Sequence, residues 1–121
     1  MPIRTLIVDD EPLARGRMRR LLEMEDDVEI VGEAADGRAA VEAIREHEPA
    51  LVFLDVQMPE LDGFGVLDRV PENERPAVVF ITAYDEFAVR AFETHAVDYV
   101  LKPFDEERFR QALARGRSAV R

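Results

Sequence analysis

The 121-residue sequence has no cysteine and no tryptophan, two histidines, two tyrosines and only one lysine. Without cysteine there are no disulfides, no thiol nucleophile and no thiolate zinc site. Cations are also short: 16 Lys and Arg face 26 Asp and Glu, a net charge of −10. A chain so acidic lacks the basic footprint needed to grip nucleic acid by itself. No apolar run approaches the roughly 20 residues of a membrane span. The opening Met-Pro-Ile-Arg leads straight into a strand-like run, without the cationic-then-apolar order of a signal peptide. Hydrophobic residues make up 47% of the chain, too much for a disordered acidic tail. The expectation is one cytoplasmic globular domain that binds neither nucleic acid nor membrane. Of the 16 cations 15 are Arg, and Lys102 alone is Lys.

Short β-rich runs alternate with helical periods. Strands are expected at Arg4–Val8, Val28–Ala34, Leu51–Leu54, Ala77–Ile81 and Asp98–Leu101. Between them, Glu11–Met24 reads as a helix with Leu13, Met18, Leu21 and Leu22 near one face. Asp36-Gly37 opens a second helix striped by Ala39, Ala40, Ala43 and Ile44, and Pro49 lies beyond its end. Leu61–Val70 and Asp85–His95 are two more, and Asp105 caps a last one running to about Arg115. Pro71–Pro76 reads as a loop, and Phe87, Val89 and Phe92 as core. Five βα units in succession predict a doubly wound, five-stranded parallel sheet of the flavodoxin-like type, with helices on both faces and strand order 2-1-3-4-5.

The polar residues fall at the strand ends. Asp9 and Asp10 follow the first strand, Asp55 the third, Thr82 the fourth and Lys102 the fifth. Open parallel sheets bind ligands outside the carboxyl ends of their strands, at the topological switch point. Three carboxylates in one crevice need a cation among them, and hard oxygen ligands suit Mg²⁺. A nearby ammonium and hydroxyl suit the oxygens of a phosphoryl group, and a carboxylate can be the nucleophile that receives it. The residues therefore point to Mg²⁺-dependent phosphoryl transfer onto an aspartate. Asp55 is the acceptor of choice, as the lone carboxylate at the end of a central strand; the adjacent Asp9-Asp10 pair suits metal. Lys102 supplies a compact point charge where an Arg would present a planar fork.

Ile7-Val8-Asp9-Asp10-Glu11, Leu54-Asp55-Val56-Gln57-Met58-Pro59 through Gly63, Ile81-Thr82-Ala83 and Tyr99-Val100-Leu101-Lys102-Pro103-Phe104 together resemble the receiver domain of two-component response regulators, over essentially the full length. The resemblance implies a signalling domain rather than a conventional enzyme, catalysing only its own phosphorylation and dephosphorylation. Asp55 would be the phosphoacceptor, Asp10 a direct Mg²⁺ ligand, Asp9 a ligand acting mainly through water, and the Gln57 carbonyl a further ligand, with Mn²⁺ a possible substitute. Thr82, beside Ala83, would hydrogen-bond the phosphoryl group and Lys102 would pair with it. Lys102-Pro103 would be a cis peptide, Tyr99 a switch aromatic, and Gln57 and Tyr84 would tune the phosphoryl lifetime. The implied partners are a sensor histidine kinase and a second copy through the fourth helix, fifth strand and fifth helix.

Residues 83–92 and 97–104 resemble more narrowly the receivers that precede a LytTR-type DNA-binding domain, so an output domain in cis is expected, with Ala114–Ser118 as the start of a linker. A free-standing receiver acting by protein binding or phosphorelay is the alternative. Arg15, Arg17, Arg19 and Arg20 read as a solvated face, with kinase docking the other possibility. His47 and His95 sit near helix ends, where a cation is favoured. Two rivals fit worse. An aspartyl-phosphate phosphatase would place an acid two residues past Asp55, where Gln57 stands and cannot transfer the proton. A flavodoxin-like electron carrier needs a phosphate loop after the first strand, where Asp9-Asp10-Glu11-Pro12 would repel a flavin phosphate.

Overall fold

The computed structural model describes residues 2–120. The β-branched and apolar runs become strands β1 (Ile3–Val8), β2 (Val28–Ala34), β3 (Leu51–Leu54), β4 (Ala77–Thr82) and β5 (Asp98–Leu101). They form one sheet in the order β2-β1-β3-β4-β5, with every pairing parallel. Helices α1 (Pro12–Glu23), α2 (Gly37–His47), α3 (Gly63–Asp68), α4 (Ala88–Glu93) and α5 (Glu106–Val120) connect and cover the strands, and a 3₁₀ turn at Glu72–Glu74 lies within the stretch read as a loop. This is the doubly wound fold expected from the alternation.

The central strands β1, β3 and β4 bury both faces, because successive side chains point to opposite sides and helices cover each. Leu6, Val8, Val52, Leu54, Val78 and Phe80 pack with Ala40, Val41, Ile44, Phe64 and Leu67 of α2 and α3. Ile3, Ile7, Phe53, Val79, Ile81 and Val100 pack on the other face with Met18 and Leu22 of α1 and Phe109 and Leu113 of α5. Phe109 stacks on Phe53 at 5.0 Å and on Phe104 at 5.5 Å. Asp36, Asp62 and Asp105 each accept the N–H three residues on, at 2.8 Å, and so start α2, α3 and α5.

Three expectations are corrected. Leu13 is 88% exposed: the buried stripe of α1 runs through Ala14, Met18, Leu21 and Leu22, and Leu13 lies about 140° around the helix from Met18 at 3.6 residues per turn. Val89 and Phe92 are 75% and 62% exposed, because α4 is short and turns Ala91 inward. The segment 114–118 is helical rather than the start of a linker. Gly116 packs on Leu51, and Arg117 donates to Asp27 at 2.6 and 2.8 Å and to Glu25 at 2.6 Å, tying the last turns of α5 to the α1–β2 loop.

Asp98 ties α5 to β5 as well. Its buried carboxylate takes Arg108 at 2.8 and 2.9 Å and Arg115 at 3.0 Å, and also accepts the Tyr99 N–H at 2.8 Å. Burial alone would raise its pKa, but Arg108, the Tyr99 N–H and Arg115 outweigh it and hold the carboxyl below its ordinary value. A lowered folded-state pKa contributes stability that is present above the unfolded value, near 4, and is lost as pH falls through the folded value. Asp98→Asn is therefore expected to lower the unfolding free energy at pH 7 by about 1–3 kcal/mol. Below about pH 4 the difference from wild type should shrink. Urea unfolding at pH 7 and pH 3 measures both, and an equal deficit at the two pH values would contradict this role.

Candidate functional site

The site lies at the carboxyl edge of the sheet, and the strand ladder itself delivers its residues. The Asp9 N–H donates to the Ala34 carbonyl at 3.1 Å, the Asp55 N–H to the Val8 carbonyl at 3.0 Å and the Lys102 N–H to the Thr82 carbonyl at 2.8 Å. Each is the first residue past its strand, held by one further rung to the neighbouring strand. The loops then fold back on these side chains. Asp9 Oδ1 accepts the Glu11 N–H at 2.9 Å, Asp55 Oδ1 the Gln57 N–H at 3.2 Å and Thr82 Oγ1 the Tyr84 N–H at 3.4 Å. These i to i+2 turns are the local chemistry of Asp and Thr. Arg15 adds a 2.6 Å bond from Nη1 to the Asp9 carbonyl.

Gly63 allows the loop after β3 to close over the site. Its N–H donates to the Val56 carbonyl at 2.8 Å, and a Cβ there would stand 2.6 Å from the Asp55 carbonyl oxygen. Only a residue without a side chain permits that approach.

Asp9 and Thr82 are fully buried and Asp55 is 5% exposed. Lys102 reaches into this group, with Nζ 3.1 Å from Asp55 Oδ2, 2.8 Å from Asp9 Oδ2 and 2.6 Å from Glu11 Oε1. Burial pushes the ammonium pKa down, but Asp9, Glu11 and Asp55 push it up further, so Lys102 stays charged. The contact with Asp9 is a charge contact without hydrogen-bond direction: Asp9 Oδ2 is buried and accepts no hydrogen bond. Burial, the largest influence, holds the Asp9 carboxyl above its usual value; Lys102 and the Glu11 N–H oppose this, and the Asp55 charge adds to it.

Asp9, Glu11 and Asp55 offer carboxylate oxygens within 4.8 Å of one another. That hard donor set, with one buried oxygen lacking a hydrogen bond, fits a divalent cation. Asp10 is not in this group. It is exposed and lines an adjoining recess of about 330 Å³ with Asp36, Arg38 and Glu60. The sequence pattern points to the Asp9-Asp10 pair and not to Glu11, because a glutamate opening a helix carries no distinguishing signal. Ala83, Tyr84 and Gln57 are exposed, and the Lys102–Pro103 peptide is cis.

Tyr99 packs on Phe80 with ring centroids 6.2 Å apart, and its hydroxyl donates to the Tyr84 carbonyl. Burial, the main influence, pushes its phenol above the ordinary value, so it remains a donor. The Tyr84 backbone thus touches Thr82 through its N–H and Tyr99 through its carbonyl. On α1, Arg17 lies over the Phe104 ring at 4.5 Å and Arg15 and Arg19 pair with Glu33, so Arg20 is the exposed residue of that run.

The fold and this acidic edge are those of a doubly wound receiver-type domain, and the family model for the response regulator receiver domain matches residues 5–114. The chain belongs to that family: it is the receiver domain of a two-component response regulator. It is 49% identical over 113 residues to the transcriptional regulatory protein BtsR of Salmonella typhi, covering 93% of this chain and 47% of that protein. It therefore spans about half the length of that relative. The response regulatory domain of mrkE from Klebsiella pneumoniae superposes with a TM-score of 0.88 at 35% identity, covering 97% of both chains. A chain of the CheX-CheY-BeF3-Mg complex from Borrelia burgdorferi matches at a TM-score of 0.84 and 26% identity, over 93% of this chain and 87% of that one. Among the described residues no helix is long and apolar enough to cross a membrane.

Because its pKa is raised, Asp9 contributes stability below the unfolded value, near 4, and loses it as pH rises through the folded value. At neutral pH, without divalent cation, its ionised form is a net cost. Asp9→Asn is expected to raise the melting temperature at pH 7 by about 3–6 °C per kcal/mol relieved, with no gain near pH 3. A calorimetric scan in chelator checks this, and a lower melting temperature at pH 7 would refute it.

Proposed function

We propose that this domain, in the cytoplasm, accepts a phosphoryl group on Asp55 from the phosphohistidine of a sensor histidine kinase. The observation that carries this reading is the meeting of Asp9, Asp55, Thr82 and Lys102 at the ends of four adjacent strands. The P–N bond of the donor breaks and a P–O bond forms to Asp55 Oδ2, the carboxylate oxygen not held by the Gln57 N–H. Asp9 and Asp55, with Glu11 or Asp10 at the rim and the Gln57 carbonyl, would hold Mg²⁺ (or Mn²⁺), which supplies charge neutralisation and orients the phosphoryl oxygens. Lys102 turns from the carboxylates to the new phosphoryl oxygens, and the Thr82 hydroxyl hydrogen-bonds them. The solved BeF3-Mg complex of a structural relative supports the same chemistry by analogy.

The readout follows from the Tyr84 backbone. Thr82 can move toward the phosphoryl group only by loosening the Tyr84 N–H, and that same residue holds the Tyr99 hydroxyl. Tyr99 repacks, and a minor active population grows. The face so altered carries exposed Tyr84, Val89, Phe92 and Leu101 and suits self-association. The narrower LytTR-type resemblance and the name of the transcriptional relative favour a DNA-binding output domain as the element controlled, in a protein about twice this length.

Treatment with a small phosphodonor and Mg²⁺ is expected to add one phosphoryl group by intact mass. Asp55→Ala should add none, and an increment persisting in that variant would refute the assignment. Beryllofluoride with Mg²⁺ is expected to shift the Thr82, Tyr84 and Tyr99 resonances together and to promote dimers in sedimentation. Movement at Thr82 with Tyr99 unchanged would break the proposed linkage.

A further inference from the structure

Glu11 stands at the N-cap position of α1 yet makes no side-chain cap bond. Its carboxylate turns to Lys102, at 2.6 Å the shortest of the three charge contacts of that ammonium. The Glu11 side chain is 62% exposed, whereas those of Asp9 and Asp55 are 0% and 6% exposed. The ammonium is thus pinned from the solvent side by a carboxylate that the fold does not otherwise use. The pin is itself fixed: the Glu11 N–H is bonded to Asp9 Oδ1, and Pro12 restricts the chain immediately after it.

The carboxylates gathered around Nζ, those of Asp9, Glu11 and Asp55, are the same ones that would hold a divalent cation. Lys102 and the metal therefore draw on a shared set of charges. A lysine side chain has four rotatable bonds and loses much rotamer freedom when fixed, so a third short contact decides whether it stays in the cluster.

We propose that Glu11 is a positioning residue that holds Lys102 in the acidic cluster and so makes the lysine a tethered competitor for the divalent cation. This rests on the metal-dependent reading of the site given above. Two other roles for Glu11 are distinguishable from it: a metal ligand or bare charge acting without Lys102, and a resting place that takes Lys102 away from the other carboxylates.

The test is a double-mutant cycle of wild type, Glu11→Gln, Lys102→Met and the double variant. Each unphosphorylated protein is titrated with Mg²⁺ alone and followed by backbone amide resonances. Lys102→Met is expected to tighten Mg²⁺ binding. With Lys102 present, Glu11→Gln should weaken binding at least about threefold less than it does in Lys102→Met, or strengthen it. Equal effects in the two backgrounds would show that Glu11 acts without Lys102, and a larger loss with Lys102 present would make it a resting place; either result overturns the proposal. If the wild-type protein binds no Mg²⁺, the metal-dependent reading fails, and the hold is decided separately in the metal-free chain. There Glu11→Gln should move the Lys102 Cε and Nζ resonances toward those of a free lysine, and unchanged resonances would overturn it.

Discussion

One ammonium among three carboxylates governs this end of the molecule. A parallel sheet sends all its strands out at one edge, and here that edge receives Asp9, Asp55 and Glu11 within 4.8 Å. Like charges so close are tolerable only around a cation. The only lysine of the chain supplies one, while 15 arginines are spent elsewhere, many on pairs that bind one element to another. The net charge of −10 is thus unevenly placed, with part of it concentrated where a positive species must sit.

Such a cluster needs a rigid frame. Parallel strands buried on both faces supply one, because neither layer of helices can shift without opening a close-packed core. Asp98 reinforces the frame at β5 by binding two arginines of α5, and Arg117 reinforces it at the far end of the same helix. Lys102 follows β5 directly, so the ion pairs that seat α5 also limit where the ammonium can go.

The sequence made the frame legible because period-2 and period-3.6 apolar patterns alternate cleanly, and because Asp55, Thr82 and Lys102 each follow a recognisable strand. The pattern is ambiguous where one helical face must be chosen over another. Leu13 and Phe92 sit in amphipathic segments whose inward direction is set by tertiary packing, by Met18 in one case and Ala91 in the other. The end of α5 was hidden because Ala114–Ser118 looks like linker composition, whereas Gly116 meets Leu51 and Arg117 meets acids about 90 residues away in sequence. Glu11 escaped for a similar reason: its partner, Lys102, lies 91 positions away, and no local pattern reports so distant a contact.

The site is not uniformly stiff. Asp9, Asp55 and Thr82 are all anchored by an N–H two residues on, but the lengths rise from 2.9 to 3.2 to 3.4 Å, and hydrogen bonds weaken as they lengthen. The loosest anchor belongs to Thr82, the residue whose loop also receives the Tyr99 hydroxyl. Asp9 is further braced by Arg15, and Gly63 packs directly against the Asp55 backbone. The β4 anchor and the Tyr84 backbone are thus the least constrained part of the edge. They lie beside the exposed apolar side chains Val89 and Phe92 of α4 and Leu101 of β5, whereas the two shorter anchors hold the edge toward α1 and α2, so the stiffness of the site is graded across the sheet from β1 to β4.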